Sequence, residues 1–346
     1  MMQPRVTVCI PTYNGEYYVA QSIESVLGQT YENLEVLIVD DASKDDTVSI
    51  ARQYAREDSR IRLVVNETNL GLVSNWNRCV ELSTGEWIKF VLQDDLIQPE
   101  CVAKMIEVPA ARSPFRVCKR RFLFDGVSPE VEKLYEPYHV TWSMEKLFPG
   151  FAEIPAESLC EAVRECGTVN FIGEPTSVLI DRKMFRRFGG FNKNLVQLCD
   201  LEYWLRIGVN TGLTYVPETL ATFRVHSRSA TSTGRSSAFF RTRVIDPLLL
   251  MYEFAHNPLF KPLRKGYLGY HAVKTHQRLA EAAYSARSAV ARSSANFSTE
   301  SPELIEWNKM VKQYPLLDRL VYFHIIEMRE NLGRYLWRFR RAGVLN

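Results

Sequence analysis

Two pairs of adjacent aspartates, Asp40-Asp41 and Asp94-Asp95, each close an apolar run. Neighbouring carboxylates repel, so a pair held at the mouth of a sheet calls for a cation. A divalent ion shared with a phosphate-bearing substrate would serve: Mg²⁺ takes one or two carboxylates and completes its shell with water and phosphate oxygens. The plainer reading of Asp94 and Asp95 is that they cap the next helix and face solvent. A further acid, Asp200, precedes Leu201, Trp204 and Leu205, which share one helical face. It therefore stands at a helix N-terminus, where free N–H groups and the helix dipole stabilise a carboxylate.

The elements that would position these acids alternate. Val6–Ile10, Glu35–Val39, Ile61–Val65 and Ile88–Leu92 read as buried strands. Between them, Val19, Ile23, Val26 and Leu27 recur at helical spacing up to Gly28. Asp45 or Asp46 opens a helix running to about Glu57, and Asn69-Leu70-Gly71 opens another that runs to Gly85. A β-α-β-α-β-α-β order predicts a mostly parallel sheet with right-handed crossovers and helices on both faces. Ligands of such sheets sit beyond the carboxyl ends of the strands, where both acid pairs fall. The loop after the first strand, Pro11-Thr12-Tyr13-Asn14-Gly15, has one glycine and begins with proline, so it lacks the G-x-G-x-x-G fingerprint of a dinucleotide site. A P-loop is also missing. Phosphates would then be held by metal and basic side chains.

The blocks Cys9-Ile10-Pro11-Thr12-Tyr13-Asn14, Val39 to Thr47, Asn69-Leu70-Gly71, Gly85-Glu86-Trp87-Ile88 and Gln93-Asp94-Asp95 occur in the order and spacing of the family 2 glycosyltransferases, which this chain resembles. The resemblance is clear over residues 5 to about 100 and looser to about 232. It implies a GT-A fold, a nucleotide-diphospho-sugar donor and Mn²⁺ or Mg²⁺. On the family pattern Tyr13 lies near the base, and Pro11, Thr12 and Asn14 belong to the same donor loop. Asp41 would accept a hydrogen bond from uracil or thymine N3–H, favouring UDP or dTDP over GDP, and Asp40 would touch the ribose or orient the loop. Asp95 matches the metal ligand, with Asp94 at the ribose or behind the metal. Gln93 stands where the family often has the first acid of its triplet. Asn69 reads as a helix cap, and Asn77 as either structural or donor-binding.

In the second half, Glu174 lies in a loop where it could meet an acceptor hydroxyl or be a plain surface acid. The resemblance to a Glu-Asp pair before a Trp-containing helix makes Asp200 the catalytic base, with Cys199 in place of the Glu and Glu202 as the fallback base. Arg224 and His226 match an Arg-x-His segment near the diphosphate, where His226 could ligate metal or donate to a phosphate and Arg224 could pair with the phosphate. Arg112, Lys119, Arg120 and Arg121 could face an anionic substrate, but a solvated basic face is the plainer reading. Such a set would invert the anomeric carbon: a hydroxyl attacks opposite the leaving diphosphate while a carboxylate takes its proton. Two alternatives share this sheet and acidic site, a nucleotidyltransferase and a non-catalytic nucleotide-sugar binder.

Length and composition agree. The 346 residues are 46% hydrophobic, enough for a packed core, and a net charge of +3 gives no argument for nucleic acid. The seven cysteines show no CxxC spacing and read as reduced thiols. No apolar run reaches the roughly 18 residues a membrane span needs, and no signal peptide is apparent, so a cytoplasmic protein is expected. The expected division is a catalytic domain over residues 1–235, with a nucleotide-binding half (1–106) and an acceptor-side half (107–235), followed by a helical extension over 236–346. Ser227 to Ser237 reads as a loop that could order over the donor. The last helix has Val321, Ile325, Met328, Leu332, Tyr335, Leu336 and Phe339 on one side and an arginine cluster near its end. It would pack on the catalytic domain or on a second subunit, or lie on the inner face of a membrane; the latter suits a lipid-linked rather than a free saccharide acceptor. Cell-surface polysaccharide or glycolipid assembly is the family-level expectation.

Overall fold

Every residue of strands β1 (Val6–Thr12) and β2 (Leu34–Asp40) is buried, as continuous apolar runs require of strands covered on both faces. Helix α1 (Val19–Leu27) follows β1, and α2 (Thr47–Glu57) follows β2. Strand β3 (Ile61–Val65), helix α3 (Leu72–Leu82) and strand β4 (Trp87–Phe90) complete the alternation. In this computed structural model, residues 3–108, 113–229, 240–266, 269–294 and 301–321 are described. Arg112, the segment 230–237 and everything from residue 322, which includes nearly all of the expected final helix, lie outside them.

Beyond β4 come β5 (Leu96–Ile97), β6 (Phe115–Asp125), β7 (Glu153–Ile154), β8 (Val178–Asp181) and β9 (Leu213–His226). One sheet runs β3-β2-β1-β4-β8-β6-β9-β5, with β7 on β9. The first four strands are parallel; β8 pairs antiparallel with β4 and β6, and β6 and β9 run parallel. The strand order reverses at the β1/β4 boundary, which opens a crevice beyond their carboxyl ends. This is the mixed α/β architecture expected, with two differences. Strand β6 extends past its buried start at Phe115–Cys118 through the charged Lys119, Arg120 and Arg121 to Asp125. Strand β9 was not anticipated, because exposed Pro217, Glu218 and Thr219 interrupt its apolar pattern. The β6–β9 ladder slips in register on both sides of the Lys119–Thr219 pair, and the extra residues, Pro217, Glu218 and Leu220, lie in β9.

The chain forms two units, residues 1–237 and 238–346. The second is helical, with helices Asp246–His256, Tyr270–Ser294 and Pro302–Gln313. Among the described residues no helix is long and apolar enough to cross a membrane.

Two buried ionisable groups tie the sheet. Lys89, fully buried in β4, sends its amine to the carbonyls of Thr176 and Val178. Glu35 in β2 accepts from Thr7 Oγ1 (2.6 Å), Thr84 Oγ1 (2.7 Å) and N (3.0 Å), and Arg62 Nη2 (2.9 Å). Burial alone would raise its pKa, but these donors hold it down at about 2. A depressed carboxylate stabilises the fold above its unfolded value of 4.5 and loses that contribution as pH falls through about 2. Glu35→Gln should therefore cost about 1–3 kcal/mol at pH 7. In urea titrations the gap from the wild type should narrow steadily from pH 4.5 downward; a gap independent of pH would contradict this assignment.

Candidate functional site

At the β1/β4 crevice the loop after β1 is clamped by Gln93. Its Oε1 accepts from Tyr13 N (2.8 Å) and its Nε2 donates to Tyr13 O (3.1 Å). Gly15 makes room for this clamp, since a Cβ there would lie 2.3 Å from Gln93 Oε1. The clamp leaves the Tyr13 ring 45% exposed above the crevice. Asn14, at φ 47°, is exposed too, and ties the loop to Ser43 Oγ and Lys44 N.

Several expected donor contacts turn inward instead. Pro11 and Thr12 are the buried last residues of β1. Thr12 Oγ1 donates to Asp40 Oδ2 (2.8 Å), and Ser43 N donates to Asp40 Oδ1 (2.8 Å). Asp40, with no exposed surface, orients these loops. Asp41, 2% exposed, accepts from Asn66 Nδ2 (2.9 Å), Leu70 N (2.8 Å) and Gly71 N (2.9 Å). It holds the turn before α3. Asn69 Oδ1 accepts from Gly71 N (2.9 Å) at that same turn. Asn77 grips the backbone of Phe191 from both sides (3.0 and 2.8 Å), which makes it structural.

The two carboxylates of the second acid pair meet different partners. Asp95 is fully buried: Oδ2 accepts from the Thr176 hydroxyl (2.5 Å) and Oδ1 from Arg224 N (3.0 Å). Burial and the Asp94 charge push its pKa well above the usual carboxylate range. Asp94 instead brings Oδ2 to His226 Nε2 at 2.9 Å, with the two side chains 16% and 6% exposed. The His226 ring meets Tyr18 edge-on at 4.6 Å. Arg224, expected at a phosphate, is spent on the scaffold. Its Nε donates to Asp94 O (2.9 Å), Nη1 to Asp125 Oδ2 (3.1 Å) and Nη2 to Gln21 Oε1 (2.6 Å), and its plane lies 4.5 Å from the Tyr18 centroid.

On the far side of β8, Gly173 at φ 128° carries the loop into Glu174. A Cβ there would meet Ser177 Oγ at 2.5 Å, and its carbonyl accepts from Trp204 Nε1 (3.0 Å). Glu174 pairs with Arg120 Nε at 2.5 Å; the two side chains are 18% and 9% exposed, so Arg120 is not part of a solvated basic face. Lys119 pairs with Glu145, and Arg121 bonds Thr222. Asp200, 8% exposed, opens the helix Cys199–Thr211 and accepts from Leu201 N (2.6 Å). Burial pushes its pKa up to about 7; the Leu201 N–H opposes this, the Glu174 charge adds to it and Arg120 offsets part. The Glu174 charge also acts on Asp95, so Asp95 and Asp200 both lie within electrostatic reach of that carboxylate. Glu202, the fallback base, is buried in a two-point ion pair with Arg206 (2.9 and 2.7 Å) and is structural.

Sequence reasoning missed Asn66, Asn75, Thr176 and the role of Arg120. Asn75 had a signal: it shares the buried face of α3 with Val73, Trp76 and Cys79, where an amide needs partners. It finds Val39 O (2.9 Å) and Asn66 Nδ2 (3.0 Å). Among the described residues no cluster of three or more metal-ligating side chains occurs; Asp94 and His226 make a two-residue set.

The family model described as glycosyl transferase family 2 matches residues 7–155. An uncharacterized protein of Mycobacterium tuberculosis, MT1568, is 30% identical over 260 residues, covering 74% of this chain and 77% of its own. An uncharacterized glycosyltransferase of Haemophilus influenzae is 25% identical over 233 residues, 66% of this chain and 68% of its own. Among solved structures, the mannosyltransferase PcManGT of Pyrobaculum calidifontis, in complex with GDP-Man and Mn²⁺, superposes with a TM-score of 0.55 at 20% identity, covering 93% and 84% of the two chains. S. aureus TarS in complex with UDP-GlcNAc gives 0.57 at 17% identity, covering 80% and 81%.

Removing the Asp41 carboxylate takes an acceptor from Asn66 Nδ2, Leu70 N and Gly71 N. Asp41→Ala should cost about 1–3 kcal/mol in chemical denaturation and speed amide exchange at Leu70 and Gly71. Unchanged exchange there would remove Asp41 from its place in the turn.

Proposed function

Since the chain belongs to glycosyl transferase family 2 and is a glycosyltransferase working with nucleotide-sugar donors, we propose that it is an inverting, metal-dependent enzyme whose base is Asp200. The observation that carries this reading is a buried carboxylate at a helix N-terminus with a pKa of about 7, which is matched to proton abstraction near neutrality. It shares the field of Glu174 with the acid pair beyond β4.

In this reading the nucleotide lies across the ends of β1 and β4, with the Tyr13 ring against its base, while Asn14 and Asn69 flank the opening. The residues fit a divalent ion: Asp94 and His226 offer one carboxylate and one imidazole, a set that suits Mn²⁺ better than Mg²⁺. When bound, the ion would neutralise charge growing on the departing diphosphate. Arg224 holds the Asp94 main chain, and Tyr18 holds the His226 ring, so both are positioned before donor arrives. Glu174, fixed by Arg120, accepts a hydrogen bond from the attacking acceptor hydroxyl. Asp200 takes the proton as oxygen bonds to the anomeric carbon from the face opposite the diphosphate, with one C–O bond formed as the other breaks. A saccharide or lipid-linked saccharide acceptor and a cytoplasmic location complete the reading. PcManGT binds GDP-Man and TarS binds UDP-GlcNAc, so UDP- and GDP-sugars are both tested.

Asp200→Asn should lower kcat by about 10²- to 10⁴-fold with donor Kd unchanged. In the wild type, kcat/KM should rise with pH and level off above about 7, as the base loses its proton. An acid limb near pH 4, or an Asp200→Asn variant of near-normal kcat, would sink the assignment. Asp94→Ala should abolish the Mn²⁺ stimulation of nucleoside diphosphate release. Asp95→Asn should chiefly lower thermal stability, and loss of Mn²⁺ response only in Asp95→Asn would reverse the metal assignment. Donor binding with no release in any acceptor screen would favour a binder.

A further inference from the structure

Next to Glu174, on the side that Arg120 faces through β6, the first unit contains a cavity of about 210 Å³. Its walls combine aromatic rings, Phe122, Tyr138 and Tyr215, with the cations Lys119, Arg120 and Lys146 and one carboxylate, Glu145. We propose that this cavity binds an anionic sugar residue of the acceptor, one bearing a carboxylate or a phosphate, with Arg120 and Lys146 as the recognising groups.

The bulge in β9 opposite Lys119 is the first support. Extra residues of β9 on both sides of the Lys119–Thr219 pair interrupt the ladder beside Arg120. The second is the state of Arg120. Its side chain is 9% exposed, its Nε faces Glu174, and its Nη2 is buried without a hydrogen-bond partner. A guanidinium has five donors in a fixed fork, so one carboxylate does not satisfy it. A buried donor left unmet is costly, and a small turn of the guanidinium toward an anion in the cavity would supply the missing acceptor. The third is charge balance. Lys119 is already paired with Glu145 at 2.8 Å, whereas exposed Lys146, on the same wall, has no ion pair among the described residues. The fourth is the aromatic wall. Phe122 packs against Tyr135 (5.2 Å) and Phe223 (6.0 Å), which gives a rigid apolar face for the C–H side of a pyranose. Because Arg120 also holds Glu174, an acceptor seated here would stand beside the residue expected to meet its hydroxyl. The proposal rests on the reading of Asp200 and Glu174 as the acceptor end.

The test titrates glucose, glucuronate and glucose 6-phosphate into the full-length protein loaded with Mn²⁺ and UDP or GDP, and follows binding by ligand-observed NMR. Both anionic sugars, or one of them, should bind at least about tenfold more tightly than glucose; which one does identifies the carboxylate or the phosphate as the group read. That preference should weaken with added salt and fall several-fold in Lys146→Ala, whose exposed site does not threaten folding. Arg120→Lys keeps a charge but loses the fork, and should lose discrimination while nucleotide affinity stays at the wild-type value. Equal affinity for glucose and both anions, or a preference untouched in Lys146→Ala and Arg120→Lys, would overturn the proposal. Failure to bind any nucleotide would instead indict the glycosyl-transfer reading on which it stands.

Discussion

The Asp95 carboxylate is the constraint on which the first unit depends. It sits without exposure between the turn before β8 and the end of β9, accepting from Thr176 and from the Arg224 backbone. Those partners lie 81 and 129 positions along the chain. A carboxyl group out of water must have its lone pairs met, and here meeting them draws three distant segments to one point. Asp94 is thereby turned the other way, toward His226. Arg224 contributes twice, through its backbone to Asp95 and through its side chain to the Asp94 carbonyl. The open half of the acid pair is therefore positioned by the closed half.

The same division recurs at Asp40-Asp41. One carboxylate closes the β1 and β2 loops against each other, and its neighbour closes the turn before α3. The crevice is consequently bounded by rigid backbone, and the side chains that remain accessible, Tyr13 and Asn14, are held by main-chain bonds to Gln93 and Ser43. Rigid backbone around a diphosphate is what electrostatic catalysis needs, since dipoles already in place cost no reorganisation during the reaction.

The alternating strands and helices of the first hundred residues were legible because their signals are local: apolar runs, helical spacing and turn residues. Asp200 was legible for the same reason, standing before an apolar helix. What resisted reading was partner choice. Nothing within ten residues of Asp95 reveals Thr176, and nothing near Glu174 reveals Arg120. The type of a residue tells that it needs a hydrogen bond, not where the bond goes, so two acids of equal appearance give no sign of their different surroundings. Strand β9 was missed because Pro217 to Thr219 face solvent in its middle. The loop after Gly173 looked like surface, although the tryptophan of the next long helix bonds directly to it.

Lys89 has an implication for how the chain can be divided. The family signature ends at residue 155, yet the amine of this β4 lysine is satisfied by carbonyls at 176 and 178. A fragment carrying only the signature would keep an aliphatic stem in its interior with nothing to receive the head group. The portion of the sequence that announces the family thus leaves one buried ammonium dependent on backbone that lies beyond it.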